Sequence, residues 1–290
     1  MLAFSALVAG SFSLGGMVAN DIPPAAFTAL RFALAAAIIG AVLLARRGGL
    51  GRTPFAAPWR YAVLGGLFGL YFVLMFEGLK SAPPVSAAAV FTLVPVMSAV
   101  VAWFLLRQRT TPRMALALGI GAAGAIWVIF RAELSALLAF DIGRGELIYF
   151  VGCISHAVYT PMVRRLNRGE PLAVFTFGTL LAGAVIVAIY GAGDILATDW
   201  TALPGMVWIA LLYVTVFATA LTIVLLQYAA LRLPSAKVMA YTYLTPSWVI
   251  VWEMALGNGV PRALILGGVL LTVLALLLLL RDDMPAPVSS

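Results

Sequence analysis

The 290-residue chain is 63% hydrophobic and only 10% charged, whereas an ordinary soluble chain is nearer one half and one quarter, so no soluble domain can hide its apolar surface. The net charge of +7 invites a nucleic-acid reading, but the positive residues follow membrane topology instead, and no nucleic-acid partner is expected. Cys153 is the only cysteine, which excludes a disulfide framework and a cysteine-based metal site.

Crossing the hydrocarbon layer takes roughly 20 apolar residues as a helix. Ten such segments are expected: Leu2–Ala19, Ala25–Ala45, Tyr61–Leu79, Val85–Leu106, Met114–Phe130, Glu146–Val163, Leu172–Tyr190, Met206–Leu231, Ser235–Leu256 and Ala263–Leu280. The runs are continuous rather than alternating, which excludes barrel strands. Segment one lacks the basic flank of a signal peptide and is kept as a helix. It carries Ser5, Ser11, Ser13, Gly15 and Gly16, small residues that let helices approach closely, with Ser13 a candidate cavity residue.

In segment two, Arg31 is expected to snorkel or to form a structural ion pair. Segment three carries three glycines and then Tyr71, Phe72 and Phe76, and ends on Glu77, spaced to pair with Lys80. Segment four has Pro95 in its interior, where a kink is expected, surrounded by Ser86, Phe91, Thr92 and Ser98. Segment five, with Gly119, Gly121 and Gly124, reads as a packing helix, and an amphipathic stretch, Ala132–Phe140, follows it.

Segment six is the most polar. Tyr149, Gly152, His156 and Tyr159 fall on one helical face, and His156, the only histidine, lies near the bilayer midplane. An intramembrane ionisable group marks a functional site or an interhelical hydrogen bond, and both readings stand for His156. Segment seven ends in Gly191-Ala192-Gly193-Asp194, a string shared with intramembrane aspartyl proteases, but no second embedded aspartate completes that chemistry. Segment eight offers Tyr213, Thr215, Thr219, Thr222, Gln227 and Tyr228. Segment nine places Lys237, Tyr241, Trp248 and Trp252 on one side around an interior Pro246, which suits a cavity that encloses an organic solute. Segment ten is nearly all leucine and is expected to face lipid or a partner subunit.

The halves of the chain repeat each other. Moving the first forward by 151 residues sets Pro95 on Pro246, Leu93 on Leu244 and Pro83 on Pro234. Pro23-Pro24-Ala25-Ala26-Phe27-Thr28 matches Pro171-Leu172-Ala173-Val174-Phe175-Thr176 at four of six positions with an offset of 148. Five helices per copy is an odd number, so the second copy enters from the opposite side, the inverted repeat of many transporters. The expected organisation is one repeat over residues 1–131, a linker over 132–145, a second repeat over 146–281 and a disordered tail over 282–290. With the amino terminus cytoplasmic, thirteen of the eighteen Lys and Arg fall inside: Arg46, Arg47, Arg52, Arg60, Arg107, Arg109, Arg113, Arg164, Arg165, Arg168, Arg232, Lys237 and Arg281. Lys80, Arg131, Arg144 and Arg262 fall outside. This bias puts both termini in the cytoplasm.

Arg31-Phe32, Gly78-Leu79-Lys80 leading to Leu93-Val94-Pro95-Val96, and Ala230-Leu231-Arg232 leading to Leu244-Thr245-Pro246 resemble the drug/metabolite transporter superfamily, in particular bacterial exporters with two EamA domains. The resemblance covers essentially the whole chain. It implies ten helices as two inverted repeats around a central cavity in the bacterial inner membrane, as a monomer or homodimer. It further implies export of amino acids, other metabolites or drugs, or exchange of nucleotide sugars and sugar phosphates. The aromatic lining is most similar to that of the YddG-type aromatic amino-acid exporters. Small multidrug-resistance members resemble one half of this fold and use a buried glutamate for proton exchange. Segment one here has no carboxylate, so lipophilic cations are disfavoured. Sugar phosphates need several cationic ligands and are disfavoured too.

The expected activity is therefore export of small neutral or zwitterionic metabolites, including aromatic amino acids, by alternating access, with uncoupled diffusion or proton-coupled efflux both open. The candidate solute residues are His156, Tyr159, Tyr241, Trp248, Lys237, Tyr71, Phe91, Thr92 and Ser13, with Pro95 and Pro246 as hinges and no metal or cofactor. An intramembrane hydrolase is the rival class. It lacks a G-x-S-x-G motif, and Ser155 and His156 point roughly 100° apart on a helix, which is no dyad.

Overall fold

Seven of the long helices begin at or just after a proline, where the missing N–H would have had no partner anyway and the fixed backbone angle suits a first turn. A computed structural model describes residues 1–45, 57–130, 132–138, 142–259 and 262–281. Arg46, Arg47, Arg52, Arg131, Asp141 and the tail 282–290 lie outside the described residues. The helices are α1 (Leu2–Val18), α2 (Pro24–Ala45), α3 (Trp59–Leu79), α4 (Pro84–Leu106), α5 (Pro112–Ile129), α6 (Arg144–Leu166), α7 (Leu172–Tyr190), α8 (Gly205–Ala230), α9 (Ser235–Ala240, Tyr241–Leu244 and Thr245–Ala255) and α10 (Ala263–Leu280). Two short helices, Leu134–Leu138 and Ala192–Ala197, lie in the connections.

Among the described residues eight of these helices are long and apolar enough to cross a membrane. The other two are α1, at 17 residues, and α9, which is broken into three pieces. The chain is an all-helical membrane protein, and its packing follows the internal repeat. The pairs α5–α10 and α2–α7 each join the same helix of the two halves. Likewise α3 packs on α6 as α8 packs on α1, and α4 packs on α6 as α9 packs on α1.

α3 is the pivot of the bundle. Near its start, a Cβ added to Gly65 would lie 2.4 Å from the Gly183 backbone nitrogen of α7, and at its end one added to Gly78 would lie 2.7 Å from the Gly145 carbonyl of α6. Backbone therefore touches backbone at both ends of α3, the mode of approach that small residues permit in lipid. α10 is not purely lipid-facing. Gly268, Val269, Thr272, Ala275, Leu276 and Leu279 are buried, with Gly268 against Gly124 of α5, while Leu264, Leu270 and Leu277 are exposed.

The predicted kinks appear one turn ahead of the prolines rather than on them. α4 breaks between Phe91 and Val94, where the Thr92 and Leu93 amides bond back only three residues, to Ala89 and Val90. α9 tightens to a 3-10 turn over Tyr241–Leu244, directly before Pro246. Proline cannot donate to the carbonyl four residues earlier, so the helix tightens there and restarts with proline in its first turn. α8 contains a π-helical turn, Val216–Leu221, that no proline announces.

Ion pairs sit at the helix ends. Glu77 pairs with Lys80 at 2.7 Å, as the spacing predicts. Where α3 begins and α6 ends, Arg60 pairs with Glu170 at 2.5 Å and donates to the Leu166 carbonyl at 2.6 Å, tying α3 to the α6–α7 connection. Burial alone would push the Glu170 carboxyl up, but hydrogen bonds from Arg60 and the Arg168 amide outweigh it and hold it below its usual range. A lowered folded value means the pair stabilises fully above the ordinary carboxylate range and loses that contribution as pH falls through the folded value. Glu170→Gln is therefore expected to lower the melting temperature at pH 7, by on the order of 3 kcal/mol since it strips a largely buried Arg60 of its counter-charge. The gap to the unmodified protein should close on acidification, and a gap that persists unchanged below pH ~3 would show that the pair is not the cause.

Candidate functional site

Close approach of α3 to α6 stacks two ladders of rings at the centre of the bundle. Phe68, Tyr71 and Phe72 come from α3, and Tyr149, His156 and Tyr159 from α6. The His156 ring lies 4.4 Å from that of Tyr71, 6.0 Å from Phe68 and 5.5 Å from Phe91, centroid to centroid, and is 8° from parallel with Tyr159. Phe91 stands at the α4 break, and Phe12 of α1 closes one end against Phe91 and Tyr149.

These rings border a central chamber lined by Phe4, Val8 and Ser11 of α1, the α3 and α4 rings, His156, and Ala218, Thr222, Ile223 and Leu226 of α8. In this conformation its free volume is only about 10 Å³. That is room for no more than one water, so a solute enters only if the rings move. His156 is buried, and neither ring nitrogen has a hydrogen-bond partner among the described residues. Burying a polar group without a partner costs free energy, and every other face of this imidazole is covered by carbon.

Polar groups behind the rings are knitted together. The hydroxyls of Tyr71 and Tyr149 share a hydrogen bond at 3.0 Å. Gln227 of α8 donates to the Tyr159 hydroxyl at 3.0 Å and accepts from Thr176 of α7 at 2.5 Å. Gln227 thus joins three helices through one fully buried amide, whose role its sequence position did not reveal. Glu146, buried in the first turn of α6, accepts from Ser86 of α4 at 2.7 Å.

Of the sequence candidates, His156, Tyr159, Tyr71 and Phe91 come together here. Thr92 is buried in the α4 break, its hydroxyl donating to the Ala89 carbonyl at 2.6 Å. Ser13 is buried with an unpartnered hydroxyl, but Ser11, two residues earlier, is the α1 serine on the chamber wall. The segment-nine stripe does not join. Trp248 is 38% exposed and lines an open groove with Tyr213, Phe217 and Trp252. Tyr241 packs with the α5–α10 cluster beside Val96 and Leu244, and Lys237 sits half-buried near the start of α9. The 3-10 turn explains the split. Four residues advancing about 120° each instead of 100° rotate everything after them by about 80°, which breaks a face drawn with uniform helical spacing.

Arg31 departs from expectation. It neither snorkels nor finds a carboxylate, but is fully buried, with its guanidinium 3.6 Å from the Phe72 ring centroid. It donates to the Thr219 hydroxyl and to the Ala218 carbonyl inside the π-turn of α8. Among the described residues no three His, Cys, Asp or Glu side chains converge as a metal site would require.

The EamA-like transporter family model matches residues 1–130 and 143–281. The chain belongs to that family, within the drug/metabolite transporter superfamily. It is a multi-pass membrane transporter. An uncharacterized transporter of Bacillus subtilis (strain 168), YyaM, is 26% identical over 273 residues, covering 93% of this chain and 89% of that protein. The aromatic amino acid exporter YddG of Ancylobacter novellus is 30% identical over 190 residues, covering 64% of this chain and 65% of that one. A solved crystal structure shares the fold with a TM-score of 0.73 and 24% identity, covering 96% of this chain and 95% of its own.

The Gln227 bridge gives a direct check on this packing. Gln227→Leu leaves the Tyr159 and Thr176 hydroxyls without their shared partner, at a cost of about 1–3 kcal/mol. The expected result is a lower melting temperature in detergent, and an unchanged one would mean that α8 is not held to α6 and α7 through this amide.

Proposed function

We propose that the protein exports small neutral or zwitterionic metabolites, foremost amino acids with aromatic or other large apolar side chains, across a bacterial inner membrane by alternating access. One observation carries the reading: a chamber walled by stacked rings encloses an imidazole with two unpartnered nitrogens. A flat apolar solute gains stacking there, and a polar group on it satisfies His156. The name of the Ancylobacter relative supports the same substrate class.

In this reading ten crossings form two inverted repeats, over residues 1–131 and 146–281, with the linker 132–145 between them and both termini cytoplasmic. The helix breaks ahead of Pro95 and Pro246 act as paired hinges, each freeing half a helix to move while the other half stays packed. His156, Tyr159, Tyr71 and Phe91 form the binding face. Tyr241, Trp248 and Lys237 lie outside it and follow the motion of α9. Transport is uncoupled, because the buried carboxylate Glu146 lies at the end of α6 rather than beside the chamber.

Purified protein in liposomes tests this. Saturable, counterflow-competent flux of phenylalanine or tryptophan is expected, unaffected by an imposed pH gradient. His156→Ala removes one ring from the stack and should weaken the apparent affinity about three- to tenfold. Absence of flux for every amino acid would end the substrate reading, and proton-driven accumulation that survives His156→Ala would end the uncoupled one.

A further inference from the structure

Arg60 has Glu170, but the other deeply buried arginine has no anion. Among the described residues no carboxylate lies within 4.0 Å of Arg31, which is 0% exposed inside α2. Two of its three guanidinium nitrogens are held, one by the Thr219 hydroxyl and one by the Ala218 carbonyl at 2.9 Å, and Nη1 has no partner among the described residues. An ionised group in a hydrocarbon-like interior is costly unless it is paired, and dipoles and a ring face offset only part of that cost.

The surroundings are built to hold the cation in place. The π-turn of α8 presents the Ala218 carbonyl and the Thr219 hydroxyl to α2, and that hydroxyl donates its own proton to the Val214 carbonyl at 2.7 Å, so it can only accept from Arg31. Phe72, over which the guanidinium is stacked, and Ala218, which it bonds, are both walls of the central chamber. Stacking the guanidinium on a ring while leaving an N–H edge unfilled suits it to a planar anion.

We propose that Arg31 receives the carboxylate of the transported solute, so that the protein selects carboxylic acids and zwitterions over the matching amines. This rests on the reading of the chamber as the solute site. A single cation beside the chamber suits one carboxylate rather than a phosphate, which draws on several cationic donors. Full burial keeps Arg31 from lipid headgroups, leaving the chamber as the route by which an anion reaches it.

The measurement is the melting temperature of the purified full-length protein with 3-phenylpropionate or with phenethylamine, two solutes that share a ring and differ in charge. The acid is expected to stabilise and the amine not to. In Arg31→Gln the concentration of acid needed for the same shift should rise by about tenfold or more, the scale of one lost charge-assisted contact, with Arg31→Lys intermediate. Equal stabilisation by the amine overturns the proposal without any variant, as does an undiminished response to the acid in folded Arg31→Gln. An Arg31-dependent response in a protein that moves no amino acid keeps the carboxylate site and removes the export reading. Amino-acid flux with no preference for the acid does the reverse.

Discussion

A backbone in hydrocarbon has no water to bond, so every amide and carbonyl must be satisfied within the helix or by a neighbour, and irregular backbone survives only where protein encloses it. This transporter breaks the rule of regular helices in three spanning elements, and each break is buried and used. The α4 break sets Phe91 against His156. The π-turn of α8 turns a carbonyl and a hydroxyl toward Arg31. In the α9 break the Tyr243 carbonyl accepts from Thr272 of α10 at 2.9 Å. The rest of the bundle, with its glycine contacts along α3, serves to enclose these points.

The two halves match in their prolines but not in their chemistry. At the offset of 151 that superposes Pro95 and Pro246, Phe91 corresponds to Thr242 and Thr92 to Tyr243. Phe91 points into the chamber, while Tyr243 fills a space beside Gly121 of α5, where an added Cβ would lie 2.3 Å from its ring. The repeat therefore supplies two equivalent flexible points, and unequal side chains assign one to the solute and the other to packing. A chamber closed to about 10 Å³ and flanked by a break is what a rocking mechanism requires of its closed conformation.

Charge is segregated by the same physics. The ion pairs Arg60–Glu170, Lys80–Glu77 and Arg262–Glu133 lie at helix ends or in connections, where water and headgroups are near. Inside, polar groups are hydroxyls, one amide and one imidazole, with Arg31 as the sole exception at depth. A cation kept there at such cost, with its fork only partly filled, fits a role in recognition better than one in holding the fold.

The sequence alone determined the class, the number of apolar segments, the duplication and the two weak points, because these rest on composition, run length and proline, which act locally. It also put Tyr149, His156 and Tyr159 on one face, since α6 keeps regular spacing through that stretch. It misassigned Tyr241 and Trp248, since a four-residue change of helical pitch rotates a face without any residue announcing it. The surroundings of Arg31 and the part played by Gln227 were likewise decided by tertiary structure. Their partners lie 187 and 188 residues away in one case and 51 and 68 in the other, and only the packing of α8 against its neighbours brings them into contact.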